Sequence, residues 1–199
     1  MAAPLPAQLS TVYDNSSFDT FITYAFSAVN ATRIGDVAQL EGMNRLLSNL
    51  SIQLYNFSGS SGFFDAQLEL YNYDGSIGPL IGNASVSGVG INGNGTQTVT
   101  FTDLDLVVPD QFAFVIGISS IVGAIDVGLN IFGPPTIGSS DDAHLLVDYG
   151  SGIQDGTTAQ GEGNLYMVAN ALPVSEPSTA LLIVFGLASL TCAAQRRAA

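Results

Sequence analysis

The chain's single histidine, His144, stands in Asp141-Asp142-Ala143-His144, with Ser139 and Ser140 just before it and Asp148 just after. Serine, histidine and carboxylate together are the residue types of nucleophilic hydrolysis, in which an oriented imidazole takes the proton of a hydroxyl. The G-x-S-x-G turn that would present such a serine is absent from the sequence, so His144 is expected to be an ordinary strand histidine. Two carboxylate pairs, Asp103 with Asp105 and Asp141 with Asp142, have the composition of a glycosidic acid and base. Asp103 and Asp105 alternate with Leu104 and Leu106, which predicts a strand that turns both acids to solvent. Asp148 and Asp155 bracket a glycine- and serine-rich stretch and are the candidate calcium ligands, although their spacing is not that of an EF-hand loop. Zinc lacks a ligand set, since there is one histidine and the only cysteine, Cys192, lies in an apolar tail. The expectation is a chain with no catalytic residues and no cofactor.

Tyr55, Phe57, Phe63, Tyr71 and Tyr73 are expected to cluster at neighbouring strand ends, where exposed rings would stack on sugars and buried ones would fill the core. The absence of tryptophan weighs against the first use. Six Asn-x-Ser/Thr sequons, at Asn15, Asn30, Asn49, Asn56, Asn83 and Asn94, follow from a composition rich in Asn, Ser and Thr.

These residues sit in a chain of short alternating segments. Phe64, Ala66, Leu68 and Leu70 alternate with Asp65, Gln67, Glu69 and Tyr71, the period-two pattern of a half-buried strand. Leu46, Leu50, Ile52 and Leu54 do the same against Asn49, Ser51, Gln53 and Tyr55, and Ser58–Gly62 is predicted to close a hairpin between the two. Asn92-Gly93-Asn94-Gly95 predicts a turn, and a phase change near Thr102 and Asp103 predicts a bend. Phe112–Ile121 is apolar on both faces and is the candidate central strand. Val127, Leu129 and Ile131 form another strand, and two more are predicted at 143–149 and 165–171. A short helical turn is expected around Val37–Asn44 and a surface loop over Gly150–Gly163. Without long crossover helices the strands must pair antiparallel. The expected fold is all-β, an antiparallel two-sheet β-sandwich of jelly-roll type over residues 11–171, plus one C-terminal transmembrane helix.

The formal net charge is -13, with 17 acidic residues against four arginines and no lysine. Such a surface repels nucleic acid, whose binding requires cations to replace phosphate counterions. Residues 1–10, MAAPLPAQLS, carry neither the basic start nor the apolar run of a secretory leader, and are expected to be the remnant of a signal region whose start lies upstream.

After Pro173 the composition changes. Residues 172–179 form a linker, 180–194 are uncharged and apolar, and 195–199 hold Arg196 and Arg197. The apolar run spans about 22 Å as a helix, short of a bilayer core of about 30 Å unless flanking residues and snorkelling arginines extend it. Arginines on the cytoplasmic side place the preceding domain on the far side of the membrane. Val174, Ser175, Glu176, Pro177 and Ser178, with Thr179, the apolar run and the terminal Arg196-Arg197, resemble the PEP-CTERM sorting signal of Gram-negative bacteria. Ser175 stands where that family usually has a proline. The resemblance implies recognition by an exosortase, a membrane-embedded transpeptidase that removes the tail at the motif as the protein is exported. A sortase signal of LPxTG type fits less well, since Leu172-Pro173-Val174-Ser175-Glu176 matches only at Leu and Pro. Val12-Tyr13-Asp14-Asn15, the 36–42 segment and Gly133–Ser140 are similar to the choice-of-anchor sandwich domains that carry such tails. Together these resemblances imply a non-enzymatic surface or extracellular-matrix protein whose partners are the exosortase, the membrane before processing, and extracellular polysaccharide. The alternative is a carbohydrate-binding module, with or without calcium.

Overall fold

The computed structural model describes residues 8–27, 30–140, 144–157 and 163–174. Within them the chain forms β1 (Ser10–Asp14), β2 (Asp19–Ala25), β3 (Arg33–Gln39), β4 (Leu46–Asn56), β5 (Gly62–Tyr73), β6 (Ile77–Ile91) and β7 (Thr96–Phe101). It continues with β8 (Leu106–Val107), β9 (Gln111–Val122), β10 (Val127–Phe132), β11 (His144–Asp148), β12 (Ile153–Thr157), β13 (Asn164–Leu165) and β14 (Met167–Leu172). No helix occurs among the described residues, and none there is long and apolar enough to cross a membrane. The expected transmembrane helix, Ser175–Ser178 of the motif and the two terminal arginines lie outside the described residues.

All strand pairs are antiparallel and fall into two sheets. Sheet A runs β1-β14-β4-β10-β13, with β2 on β10 and β7 and β8 on the free side of β4; sheet B runs β12-β11-β3-β9-β5-β6. Their inner faces close on one core that includes Leu50, Ile52 and Leu54 of β4, Phe64, Leu68 and Leu70 of β5, Phe112 and Phe114 of β9, and Leu129 and Ile131 of β10. Each of these side chains contributes about 2 kcal/mol by leaving water, so the alternation sets which face of each strand turns inward.

Several local expectations are corrected by this topology. β4 belongs to sheet A and β5 to sheet B, so Ser58–Gly62 carries the chain from one layer to the other and closes no hairpin. Asn92–Gly95 is the turn expected, and it too passes between the layers, from β6 to β7. Leu47 rather than Leu46 enters the core, because a register shift opposite Asn170 and Ala171 moves the start of β4 by one residue. The helical turn predicted from Val37 is strand through Gln39, paired residue for residue with β9. Gly150–Gly163 contains β12, which closes a hairpin on β11. The central strand is as expected at Phe112–Gly117, which are buried on both faces, and loses its cover from Ile118 onward.

A second apolar cluster lies on the outer face of sheet B: Val37, Ala113, Val115 and Leu146, packed under Tyr71, Tyr73, Ile77 and Ile153. Two buried polar groups tie the elements together. The Asp36 carboxylate accepts from the Val37 N–H at 2.7 Å and from the Leu165 N–H at 2.9 Å, linking β3 of one sheet to β13 of the other. Asn15 bonds both the carbonyl of Leu165 and the N–H of Met167, standing in for a strand neighbour.

Candidate functional site

The residues singled out for hydrolysis do not assemble as a unit among the described residues. His144 and Asp148 are the two ends of β11, about 13 Å apart along an extended strand. Ser140 Oγ donates to the carbonyl of Val37, Ser139 pairs through its backbone with Gln39, and Asp141 and Asp142 lie outside the described residues. Asp103 and Asp105 are exposed as expected, but not from a strand. Both have positive φ, 55° and 46°, in the bend between β7 and β8.

Asp148 is buried, 3 % exposed, and both of its oxygens are engaged. Oδ1 accepts from the N–H groups of Gly150 and Gly152 at 2.7 and 3.0 Å, and Oδ2 accepts from Arg33 Nε at 3.0 Å and from its terminal nitrogen. Asp155 is exposed and stands opposite Leu146, in a different row of the hairpin from Asp148. Among the described residues no group of three His, Cys, Asp or Glu is placed to hold a metal ion.

Arg33 extends this contact across sheet B. Its other terminal nitrogen pairs with Glu69, whose Oε2 accepts from the Tyr71 hydroxyl at 2.5 Å. The guanidinium crosses β9 at Gly117, where a Cβ would come within 3.3 Å of Arg33 Cγ. Hydrogen bonding from Arg33 holds the Asp148 carboxyl below the usual carboxylate range against the opposing effect of its burial. Burial, then the Glu69 carboxylate, push the Tyr71 phenol up to about 12. Donors and acceptors here satisfy one another, which makes the network a cross-strand tie on a face where Gln67, Glu69, Asn83 and Ser85 line an open polar hollow of about 470 Å³.

Sheet A offers a different surface. Its outer face carries Thr96, Thr98 and Thr100 of β7, Ser51, Gln53 and Tyr55 of β4, Asn130 of β10 and Thr23 of β2, in register across the strands. One stretch deepens into a groove of about 550 Å³ lined by Asp19, Phe21, Thr23, Tyr55, Phe57, Thr96 and Asn130. Tyr55 and Phe57 meet edge to face, with centroids 5.2 Å apart. Across the groove Phe21 is 91 % exposed with φ at 61°, fixed by an N–H bond of 2.8 Å to Asp19 Oδ1. A phenylalanine in the left-handed region costs about 1–3 kcal/mol, and its exposed ring recovers none of that by burial.

The five aromatic residues expected to cluster are thus divided. Tyr55 and Phe57 line this groove, Phe63 pairs with Val122 at an end of sheet B, and Tyr71 and Tyr73 cover the second apolar cluster. Phe21 escapes sequence reading because Asp19–Ala25 mixes polar and apolar residues without a clean alternation. Its one local signal is an aspartate placed two residues earlier, where it can cap the turn.

No family model matches the chain and no curated protein matches it. Among solved structures, that of infectious bursal disease virus, Gt strain, is similar over 88% of this chain and 40% of its own, at 12% identity and a TM-score of 0.35. The CBM36-1 domain of a multidomain xylanase from the hindgut metagenome of Trinervitermes trinervoides is similar over 62% of this chain and 93% of its own, at 8% identity and a TM-score of 0.32. A CocE/NonD family hydrolase from Staphylococcus aureus is similar over 87% of this chain and 38% of its own, at 10% identity and a TM-score of 0.33. The chain therefore spans less than half the length of the viral and hydrolase chains.

Proposed function

We propose that the chain is a non-catalytic β-sandwich of jelly-roll type, sorted by an exosortase through its C-terminal signal to the bacterial surface or the extracellular polysaccharide. The observation that supports sorting is where the last described strand ends. β14 pairs with β4 as far as Leu172, and Val174, the first residue of the motif, is already 40 % exposed. The last described strand thus ends before the motif begins, which supports access to it by a membrane enzyme. The test is mass spectrometry of the tail in hosts with and without the exosortase, from a gene carrying its upstream codons. Loss of residues beyond the motif in the first host alone is the expected result. A product that still ends in Arg196, Arg197 and two alanines in both hosts refutes processing.

A second reading, a carbohydrate-binding module, is favoured by the outer face of sheet A. Threonine, serine and amide side chains on a flat β-surface offer donors and acceptors without net charge, and polyhydroxylated chains are recognised by such groups. Binding of polysaccharides with and without a chelator tests both the module and its calcium dependence; equal binding under both conditions is expected, since Asp148 is engaged by Arg33.

A further inference from the structure

The sheet A groove is where the fold sets exposed aromatic rings beside a row of uncharged hydrogen-bonding side chains. Register brings Thr23 opposite Asn130, and Gln53 opposite Thr98. Thr23 Oγ1 donates to Asn130 Oδ1 at 2.8 Å, and Asn130 Nδ2 donates to Gln53 Oε1 at 2.8 Å. The bonds run in one direction, from β2 to β4, and end on the Gln53 amide nitrogen, for which the described residues supply no acceptor. Phe21 stands on one flank of this row, with Tyr55 and Phe57 on the other. Gly128 lies opposite Tyr55 on the neighbouring strand and adds no side chain to the floor between them.

We propose that this groove binds an internal segment of a neutral polysaccharide, with one pyranose ring stacked on Phe21, another on the Tyr55–Phe57 pair, and sugar hydroxyls between them bonded to Thr23, Asn130 and Gln53. This rests on the carbohydrate-binding reading and assigns its site and ligand class. A pyranose presents axial C–H bonds from its ring face and hydroxyls from its edge, which matches rings flanking a row of amides and hydroxyls. Neutrality follows from charge: the chain carries -13, and the only ionisable carboxylate in the lining is Asp19, with no cation. A uronate or sulfate would meet a repulsive field. The groove is open where it crosses four strands, about 14 Å by strand spacing, and nothing in its lining closes an end against a continuing chain.

The test uses the full chain in a zwitterionic detergent, titrated with neutral gluco-, xylo- and manno-oligosaccharides of increasing length and with polygalacturonate. Phe21→Gly removes the ring while giving the left-handed position to the one residue that takes it without strain, so its fold is retained, and a melting temperature equal to or above the parent's verifies this. Phe57→Ala removes the opposite wall, and Phe63→Ala, an exposed ring on sheet B, is the control. The expected result is binding of a neutral oligosaccharide that tightens with length, weakens roughly tenfold or more in Phe21→Gly, weakens in Phe57→Ala, and is unchanged in Phe63→Ala. Neutral binding that stays within about twofold in both groove variants overturns the groove and leaves the carbohydrate reading standing. Tighter binding of polygalacturonate than of any neutral chain overturns the ligand class. Failure of the parent chain to bind any of them overturns the carbohydrate reading and the groove with it.

Discussion

Asn56 carries more of the fold than its polar side chain suggests. It is fully buried, its Oδ1 accepts from the N–H groups of Ser58 and Asp126, and its Nδ2 donates to the carbonyls of Ser60 and Asn92, so three loops meet on one amide. Asn56→Ala leaves four partners unsatisfied and is expected to cost about 2–4 kcal/mol, read as a lower urea midpoint. Arg33→Met removes the cation from a buried carboxylate, and a loss of similar size, about 2–4 kcal/mol, is expected. The same pair predicts a pH dependence. Because the folded Asp148 carboxyl is held below its unfolded value, its contribution is complete above the ordinary carboxylate range and is lost as pH falls through the lower folded value. Urea midpoints measured down to acid pH should fall more steeply for the parent than for Arg33→Met. Tyr71 acts in the opposite direction: its stabilisation holds below the ordinary phenol range and is lost as pH rises toward about 12. None of this was legible in the sequence, where Asn56 is one sequon among six and Asp148 a candidate calcium ligand. The distant partners, Asn92 and Asp126 for Asn56 and Arg33 for Asp148, lie 36 to 115 residues away and leave no local trace.

Strands with one covered face, or with both faces covered, were legible, and a strand at the edge of a sheet was not. β5 shows its alternation because one face lies in the core, and β9 shows as an apolar run because both of its faces are covered from Phe112 to Gly117. β6 reads as Gly, Ser, Asn and Val without a clear period, since it is the outer strand of sheet B. The Ser58–Gly62 loop misled because a connection of that length serves a hairpin and a crossing between layers equally well; only the Asn56 bonds decide it. Gly35 is a position where the strand itself is the constraint. A Cβ there would collide with the Phe114 carbonyl oxygen and lie 2.9 Å from Val115 Cα, both on the paired strand β9. Gly35→Ala should therefore cost about 3 kcal/mol or more, or prevent folding, as seen by loss of a cooperative thermal transition. The bend predicted near Thr102 is present and had a visible cause, the change of phase in the apolar pattern.

The division into two sheets around one core was readable from composition and spacing. Which outer face is the better candidate for a ligand was not, because sheet A and sheet B both carry polar residues and differ in the charge of those residues and in the rings beside them. On sheet B the charges are paired internally by Arg33; on sheet A the row Thr23, Asn130 and Gln53 is uncharged and the aromatic walls stand open. The position of β14 has a mechanical consequence. It lies between β1 and β4, with pairs to β4 from Met167 to Leu172, and the chain leaves the sandwich from its last residue. A pull applied beyond Leu172, while the groove on β2, β10 and β4 is held, acts lengthwise along β14 and loads those pairs in shear. They must yield together instead of unzipping one at a time, so the sandwich resists force applied through its C-terminal strand.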